Sequence, residues 1–224
     1  MVGGGAAGVV LAFAMDHGLR AMVGDDAPHV RVIADTASVL PEWPLGARWR
    51  ARRCLERRGI GVHVQGRVAA VGPGSVRLEG GLEYASDAVF WTAGADAPEW
   101  LRDSGLATDP RGFVLTNDLL QSASHPQVFA AGDCAVEQGH PVPRAGVFAV
   151  RAGPVLAHNV VAALDGKPLL AHVPRRRYLA LLSTGRRHAI GMWGPLAFQG
   201  AWAWRWKDRI DRRWVARYRP PFSA

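Results

Sequence analysis

The chain has 224 residues, of which 49% are apolar, and a net charge of +8. It is long enough for one large core or two smaller ones, and neither a run of ~18 consecutive apolar residues nor a secretory leader is present. The positive charge is local, because residues 171–224 hold twelve basic and two acidic side chains. The composition therefore argues against nucleic-acid binding by the whole chain and predicts a cytoplasmic protein.

A glycine pattern opens the chain, where Gly3, Gly5 and Gly8 match Gly-x-Gly-x-x-Gly before an apolar run. In dinucleotide-binding folds the first glycine permits a tight turn, the second lets backbone approach a pyrophosphate, and the third packs the helix close to the sheet. The helix predicted over residues 6–22 would offer free N–H groups to an anion. An ordinary tight turn is the alternative. Only two residues precede the pattern, so we expect the first strand to be incomplete.

The next elements extend this unit. A β-branched run at 29–34 predicts a strand, and Asp35 follows it where such folds place an acid on the ribose hydroxyls. A solvated strand-end acid is the alternative. Residues 45–58 predict an arginine-rich helix, which either holds the 2′-phosphate of NADP or is a solvated face. Residues 60–64 predict the third strand.

Three alternating segments then predict a small antiparallel meander at 67–71, 75–79 and 82–85. Residues 88–92 predict a buried strand. The order of these elements makes residues 1–95 one nucleotide-binding unit, which is the context that the glycine pattern requires.

The second informative stretch lies in the middle of the chain. An apolar strand predicted at 127–131 runs into Gly132 and Asp133, and a helix is predicted from Gly146 to Leu164. This pattern suits a site where backbone approaches a ligand and a carboxylate accepts hydroxyl hydrogen bonds, although a tight turn capped by the aspartate is equally compatible.

The two cysteines, Cys54 and Cys134, are far apart, so a Cys-x-x-Cys redox centre is excluded and both are interpreted as structural thiols. The eight histidines are scattered, and no zinc site is predicted.

The basic C-terminal segment predicts strands at 178–183 and 187–193 and a helix at 201–218. One row of this helix carries large apolar side chains, namely Trp202, Trp206, Ile210, Trp214 and Tyr218. Two i, i+4 ion pairs are expected on its other faces, Lys207–Asp211 and Asp208–Arg212. The row either packs on its own domain or lies on an anionic membrane surface.

Three of these motifs together resemble the pyridine nucleotide–disulfide oxidoreductase superfamily. They are the glycine pattern with the meander, residues 91–95, and residues 128–133. Its members are flavoproteins in which an NAD(P) domain is inserted into an FAD domain. The chain has no Cys-x-x-Cys motif, and in this respect it resembles the branches of type II NADH dehydrogenases and ferredoxin reductases. The C-terminal segment resembles the oxidoreductase module often fused to, or encoded beside, selenide, water dikinase, at residues 181–185, 194–197 and 204–213.

The resemblance implies an α/β fold in three parts. Residues 1–95 would form a Rossmann-like three-layer ββα sandwich that binds NAD(P)H. Residues 96–168 would form the C-terminal half of an FAD domain, and residues 169–224 a small α+β segment. Hydride would pass from nicotinamide C4 to flavin N5 and on to a small-molecule or quinone-type acceptor, in the cytoplasm or at the inner face of the membrane.

The resemblance also assigns cofactor-binding residues. On the NAD(P)H side they are Gly3, Gly5, Ala6, Gly8 and Asp35, with Thr92 and Gly94 lining the crevice between the two folds. On the FAD side they are Gly132, Asp133, Ala145 and Gly146. No side chain is predicted as a general acid or base.

Two departures from the family pattern shape the expectation. Val10 stands where the family commonly has a glutamate near the nicotinamide, and no N-terminal FAD unit precedes the chain. We therefore expect a fragment or truncated form that holds no flavin tightly. A flavin-free NAD-binding or scaffold protein, a membrane-surface quinone reductase and an inactive gene fragment stay open, as does a homodimer. Nucleic acid is not an expected partner.

Overall fold

The computed structural model describes residues 1–94, 96–175 and 177–218. These residues form two compact units, one built from residues 1–94 with the segment from Leu179 onward, and the other from the residues between them. The sequence predicts three parts, with the C-terminal segment separate. In the structure that segment shares a core with the first unit, and the boundary at residue 168 stays a prediction.

The first unit contains α1 (Ala6–Val23), a 3₁₀ turn (Gly24–Asp26), β1 (Arg31–Ile33), α2 (Leu45–Arg57), β2 (Gly61–His63), β3 (Val68–Gly72), β4 (Ser75–Leu78) and β5 (Glu83–Ala85). The second contains α3 (Glu99–Asp103), β6 (Val114–Thr116), a 3₁₀ turn (Gly132–Cys134), β7 (Ala135–Glu137) and α4 (Gly146–Leu164). The chain returns to the first unit with β8 (Leu179–Ser183), β9 (Ala189–Trp193), β10 (Leu196–Gly200) and α5 (Ala201–Arg217). The predicted helices and the antiparallel meander β3-β4-β5 are confirmed.

A parallel layer carries the glycine turn. β1 pairs with β2 in parallel, and Val2 forms parallel bridges to Ile33 on one side and Trp91 on the other. The predicted buried strand at 88–92 is wrong, because only Trp91 forms a bridge and its side chain is 59% exposed. Among the described residues its backbone pairs only with Val2 of the sheet, so the segment lies at a sheet edge, where Phe90 and Trp91 are exposed while Val89 packs on a small apolar cluster.

Two other strand predictions also need correction. The predicted strand at 127–131 is reduced to one bridge between Gln121 and Phe129, and the strand β7 begins only after the Gly132–Cys134 turn. β10 is not predicted from the sequence. It forms a hairpin with β9 in which Leu196 pairs with Trp193 across a turn containing Gly194, at φ +55°.

The core of the first unit joins its two chain segments. Val9 and Phe13 of α1 and Leu55 of α2 pack in one cluster with Leu182 and Ile190 of the C-terminal sheet, and all five are at most 2% exposed. Burying side chains of this size contributes about 1.5–3 kcal/mol each, which accounts for the association of the C-terminal sheet with this unit.

Helix α5 packs at the same sheet, where Trp202 stacks on Phe198 of β10 at 4.9 Å between ring centroids. The predicted ion pairs are confirmed, with Asp208–Arg212 at 2.8 Å and Lys207 bonded to Asp211.

Two of the described helices, α1 and α4, are long and apolar enough to cross a membrane by length and mean hydropathy. This is weak support for spans, because the core helix of a folded domain passes the same test. In α1 the apolar face is used in the core, and Asp16 is paired with Arg20 on the same helix.

Candidate functional site

The turn at Gly3 and Gly8 is fixed by the atoms around it. Gly3 has φ +122°, and a Cβ there would lie 2.7 Å from the carbonyl carbon of Thr92. A Cβ on Gly8 would lie 2.0 Å from the Gly3 oxygen and 2.7 Å from the Thr92 hydroxyl. Any side chain at either position would force backbone apart. The first and third glycines are therefore required by the protein's own packing.

Gly5 differs from its neighbours. It caps α1 with φ −71°, and a Cβ there would meet no atom of the described residues within 4 Å. Gly5 and Ala6 are exposed, and among the described residues no side chain caps the helix. The first N–H groups of α1 have no intrahelical partners, so this end of the helix presents donors and a positive dipole end to an anion. The packing of the described residues therefore does not require a glycine at this position.

Thr92 and Asp35 lie around the same turn. The Thr92 hydroxyl donates to the Val2 carbonyl at 2.9 Å, and the Thr92 amide donates to the same oxygen at 2.7 Å. Gly3 donates its N–H to the Ile33 carbonyl, and the exposed Asp35 stands two residues after this strand end. Ligands of open α/β sheets bind beyond the carboxyl ends of the strands, where Asp35 stands.

Gly94, which has φ +50° and is exposed, follows Thr92 by two residues. The first unit thus brings the predicted NAD(P)H-side residues to one end of the sheet.

Several arginines of α2 make contacts within the helix or with the segment before it. Arg48 donates to the backbone carbonyls of Pro41 and Trp43, and Arg52 pairs with Glu56. These contacts favour a structural role over capture of a 2′-phosphate. Burial raises the pKa of the Cys54 thiol on the same helix in spite of the nearby Arg57, Arg58 and Arg53, which keeps it in the unreactive protonated form.

The second unit has a cavity of about 210 Å³ beside the Gly132 turn. Gly132, Asp133 and Ala145, all predicted FAD-side residues, line it, and Gly146 follows as the first residue of α4. Gly132 has φ +77°, and a Cβ there would lie 3.2 Å from the Ala149 side chain. The Asp133 carboxylate is exposed. The turn therefore presents backbone and one carboxylate to a ligand.

Three polar residues of this region were not found from the sequence. Glu137 and Arg144 line the cavity, and His172 bonds Glu137. Glu137 and His172 are 35 positions apart, a spacing that no local pattern connects. In the described residues, no group of three or more His, Cys, Asp and Glu side chains could hold a metal ion.

Comparison with known proteins agrees with this geometry. The model of the family described as pyridine nucleotide-disulphide oxidoreductase matches residues 1–163. The chain belongs to this family. Proteins of the family use FAD and NAD(P)H. The resemblance found in the glycine pattern is therefore confirmed at the level of the family and its fold.

The relatives are oxidoreductases. An NADH dehydrogenase-like protein of Mycobacterium tuberculosis is 30% identical over all of this chain, which covers 57% of that protein. The demethylphylloquinone reductase of Synechocystis is 30% identical over 83% of this chain and 46% of its own. The chain spans about half the length of these curated relatives.

Solved structures show the same fold. The sulfide:quinone oxidoreductase of Aquifex aeolicus superposes with a TM-score of 0.70 over 91% of this chain and 53% of its own, at 16% identity. An FAD-dependent pyridine nucleotide-disulphide oxidoreductase of Desulfovibrio vulgaris superposes with a TM-score of 0.62 over 85% and 47%, at 25% identity. The predicted α/β class is confirmed.

Proposed function

We propose that this chain serves an FAD-dependent NAD(P)H oxidoreductase, in which its first unit binds the dinucleotide and its second unit forms part of the flavin site. The observation that carries the proposal is the contrast within the glycine turn. Gly3 and Gly8 are required by neighbouring atoms, whereas Gly5 is open, exposed and placed at a helix N-terminus. That combination supports a pyrophosphate site.

The residues have separate tasks in this proposal. The N–H groups at Gly5 and Ala6 bind the pyrophosphate, Asp35 accepts hydrogen bonds from ribose hydroxyls, and Thr92 holds the turn in place through Val2. Gly132 and Asp133 suit the polyhydroxylated chain of a flavin, because an exposed carboxylate can accept hydrogen bonds from its hydroxyl groups. When bound, the flavin supplies the hydride-accepting chemistry, and the protein's part is to orient the two cofactors.

A quinone-type or other small redox acceptor is the proposed destination of the electrons. The names of the relatives support this choice, since they include a demethylphylloquinone reductase and a type II NADH:quinone oxidoreductase. Another relative is a nitric oxide reductase FlRd-NAD(+) reductase, which supports a protein acceptor less directly. Association with selenide, water dikinase and a homodimer stay predictions from the sequence.

NADH titration of the purified chain tests the proposal. Gly5→Ala meets no protein atom but places a methyl group where the pyrophosphate would approach, so we expect NADH affinity to fall roughly tenfold or more, or about 1.4 kcal/mol. The matched control is Gly18→Ala in the same helix, which also meets no atom within 4 Å. Equal affinities of the two variants would contradict the assignment. NADH binding without any flavin binding would favour the flavin-free alternative.

A peripheral membrane site on α5 is a second proposal. Trp206 and Trp214 are each 41% exposed on one row of the helix, and Tyr218, which follows its last residue, is 65% exposed. The exposed cations around them are Arg205, Arg209, Arg212, Arg213 and Arg217. An aromatic row with flanking cations is typical of helices that lie in an anionic membrane surface. This position would bring the protein to membrane-soluble acceptors.

Co-sedimentation with vesicles of anionic phospholipid tests the second proposal. Trp214→Ala should reduce the bound fraction, whereas Trp100→Ala, which removes a 66% exposed tryptophan from α3, should leave it unchanged. Binding should also weaken as salt rises, because the arginine contribution is electrostatic. Equal binding of both variants would remove α5 as the membrane contact.

A further inference from the structure

The β9–β10 hairpin presents an exposed apolar tip. Trp193 and Leu196 flank its turn and pair with each other in register, and they are 58% and 65% exposed. Residues 189–204, which form the hairpin and the first turn of α5, contain no Asp, Glu, Lys or Arg. By contrast, residues 171–224 as a whole hold twelve basic and two acidic side chains. Contiguous apolar side chains rimmed by charge mark a contact surface.

The hairpin tip is continuous with the aromatic row of α5. Side chains two positions apart share a face of a strand, so Leu196 lies on the same face of β10 as Phe198. The Phe198 ring is stacked on Trp202 at 4.9 Å and on Trp206 at 6.0 Å between centroids. Gly191 of β9 leaves room for this ring, because a Cβ there would lie 2.1 Å from it. One apolar surface therefore extends from the hairpin tip to α5.

The opposite face of the hairpin belongs to the core of the first unit. Ile190 of β9 is fully buried in the same cluster as Leu55 of α2, and Ala197 of β10 packs against that cluster. β9 is also paired on both sides, since it lies between β8 and β10 in the sheet. The hairpin is therefore a firm support that holds Trp193 and Leu196 outward.

The cations beside this surface select the kind of partner. Arg205 and Arg209 are exposed, and each precedes by one position a member of the apolar row, Trp206 or Ile210. The two aspartates of α5 are already paired with other cations of the same helix. Tryptophan and leucine side chains beside such cations complement an anionic bilayer, where the apolar groups enter the boundary below the headgroups and the cations meet lipid phosphates.

The backbone of β10 limits how deep the contact can be. Among the described strands β10 pairs only with β9, so the N–H and C=O groups along its other edge have no strand partner. Such groups do not enter the hydrocarbon region, where no water is present to satisfy them. The strand therefore stays among the hydrated headgroups while the side chains at its tip reach the acyl boundary.

We propose that the β9–β10 hairpin tip inserts into the boundary between the headgroups and the acyl chains of an anionic bilayer. Trp193 and Leu196 are the inserted side chains, and Arg205 and Arg209 contact lipid phosphates. This inference rests on the peripheral membrane site proposed for α5 and adds a deeper contact that the helix does not contain.

Co-sedimentation with vesicles of phosphatidylglycerol and phosphatidylcholine tests the insertion. We expect Leu196→Asp to lower the partition coefficient of the chain roughly tenfold, because an inserted leucine is replaced by a charge. Leu196→Lys should also bind more weakly than the unaltered chain, although it adds a cation. Tighter binding of the lysine variant would show a purely electrostatic contact and overturn insertion. The matched control is Leu82→Asp, at a 48% exposed leucine just before β5, which should bind as the unaltered chain does.

Fluorescence quenching measures the depth directly. A thiol-reactive fluorophore is attached in Leu196→Cys, in a chain whose exposed Cys134 is removed by Cys134→Ser. The native Cys54 is partly buried, and its raised thiol pKa keeps it unreactive. Brominated phospholipids should quench this label strongly and the same label in Leu82→Cys weakly. Equal quenching of the two labels would contradict insertion of the tip.

The outcomes separate this inference from the proposal for α5. If Trp214→Ala weakens vesicle binding and Leu196→Asp does not, α5 stands as the contact and the insertion of the hairpin is overturned. If the unaltered chain does not bind the vesicles, both proposals fail. Circular dichroism shows whether each variant is folded, and Trp193→Ala replaces Leu196→Asp if that variant is not.

Sedimentation velocity without vesicles tests whether a second copy of the chain covers the hairpin tip instead. We expect the unaltered chain and Leu196→Asp to have the same sedimentation coefficient. A dimer that dissociates in Leu196→Asp would identify the tip as a protein interface and overturn the proposal.

Discussion

The two units prepare their candidate sites in opposite ways. In the first unit the glycine turn is closed by its own atoms, with Gly8 packed against the Gly3 carbonyl. In the same unit the buried Asp16 contacts Arg20 at 2.8 Å through one oxygen and Arg58 at 3.7 Å through the other, and Arg58 Nη1 has no hydrogen-bond partner among the described residues. The geometry of the glycine turn is therefore complete before a ligand arrives.

The second unit is less closed. Gly132 has a positive φ, and the nearest atom to a Cβ added there would be the methyl carbon of Ala149, at 3.2 Å. One oxygen of the buried Glu137 carboxylate is bonded to His172, and the other has no hydrogen-bond partner in the part of the chain that the structure describes. Packing therefore determines the geometry of the first site. The second site instead contains a buried carboxylate oxygen that has no hydrogen-bond partner among the described residues. Substitutions should accordingly destabilise the first unit more and change ligand binding more in the second.

The largest expected effect is that of Gly8→Ala. Its Cβ would lie 2.0 Å from the Gly3 oxygen, a backbone atom that can move only if the turn opens. We expect a loss of about 3 kcal/mol or more in the free energy of unfolding, at the upper end of overpacking effects. Urea denaturation measures it. Gly5→Ala, three residues earlier, should cost no more than about 1 kcal/mol, the usual effect at a helix cap. Similar losses for the two variants would show that the turn is not closed as described.

A second, smaller effect concerns the buried ion pairs. Asp16→Asn keeps the size of the side chain but removes the charge that faces Arg20 and Arg58, so we expect a loss of about 1–3 kcal/mol in the free energy of unfolding. The control is Asp208→Asn, which breaks an exposed i, i+4 pair worth less than about 1 kcal/mol. An Asp16 variant no less stable than the control would mean that the pairing adds nothing.

This difference also explains what the sequence could predict. The glycine turn, α1, α2 and the meander follow local rules of periodicity and turn chemistry, so their positions are predicted within a few residues. The strand at 88–92 was mispredicted because apolar composition does not distinguish a central from an edge position. The pairing of Glu137 with His172, and the inclusion of the C-terminal sheet in the first core, depend on contacts between distant residues that no periodicity encodes.

The third prediction compares two glycines of the second unit. Gly132 and Gly139 have φ +77° and +82°, but only Gly132 has a neighbour within 4 Å of an added Cβ. Each alanine substitution should cost about 1–2 kcal/mol in backbone strain. Gly132→Ala should cost somewhat more because the Ala149 methyl group must yield. The difference in unfolding free energy between the two variants measures how tightly the candidate flavin turn is packed. A larger loss for Gly139→Ala would contradict the contact.

The smallest expected effect is the pH dependence that His188 gives the first unit. Burial lowers the pKa of His188 from its ordinary value near 6.5, and the nearby Arg58 cation lowers it further. Its Nδ1 lies 2.7 Å from the buried Thr184 hydroxyl. Since the unfolded chain takes up this proton more readily than the folded chain, stability should fall as the pH drops below 6.5 and level off below the folded pKa. Above pH 6.5 His188 should have no effect on stability.

Thermal unfolding of the unaltered chain and of His188→Asn, measured between pH 7.5 and 5, should therefore diverge only in the acid range, where the variant should lose less stability. His158→Gln, which removes an exposed histidine from α4, is the control and should follow the unaltered chain. If His188→Asn showed the same slope with pH as the unaltered chain, the Arg58 neighbourhood would not restrain protonation of His188, and the closed character of the first unit would rest on packing alone.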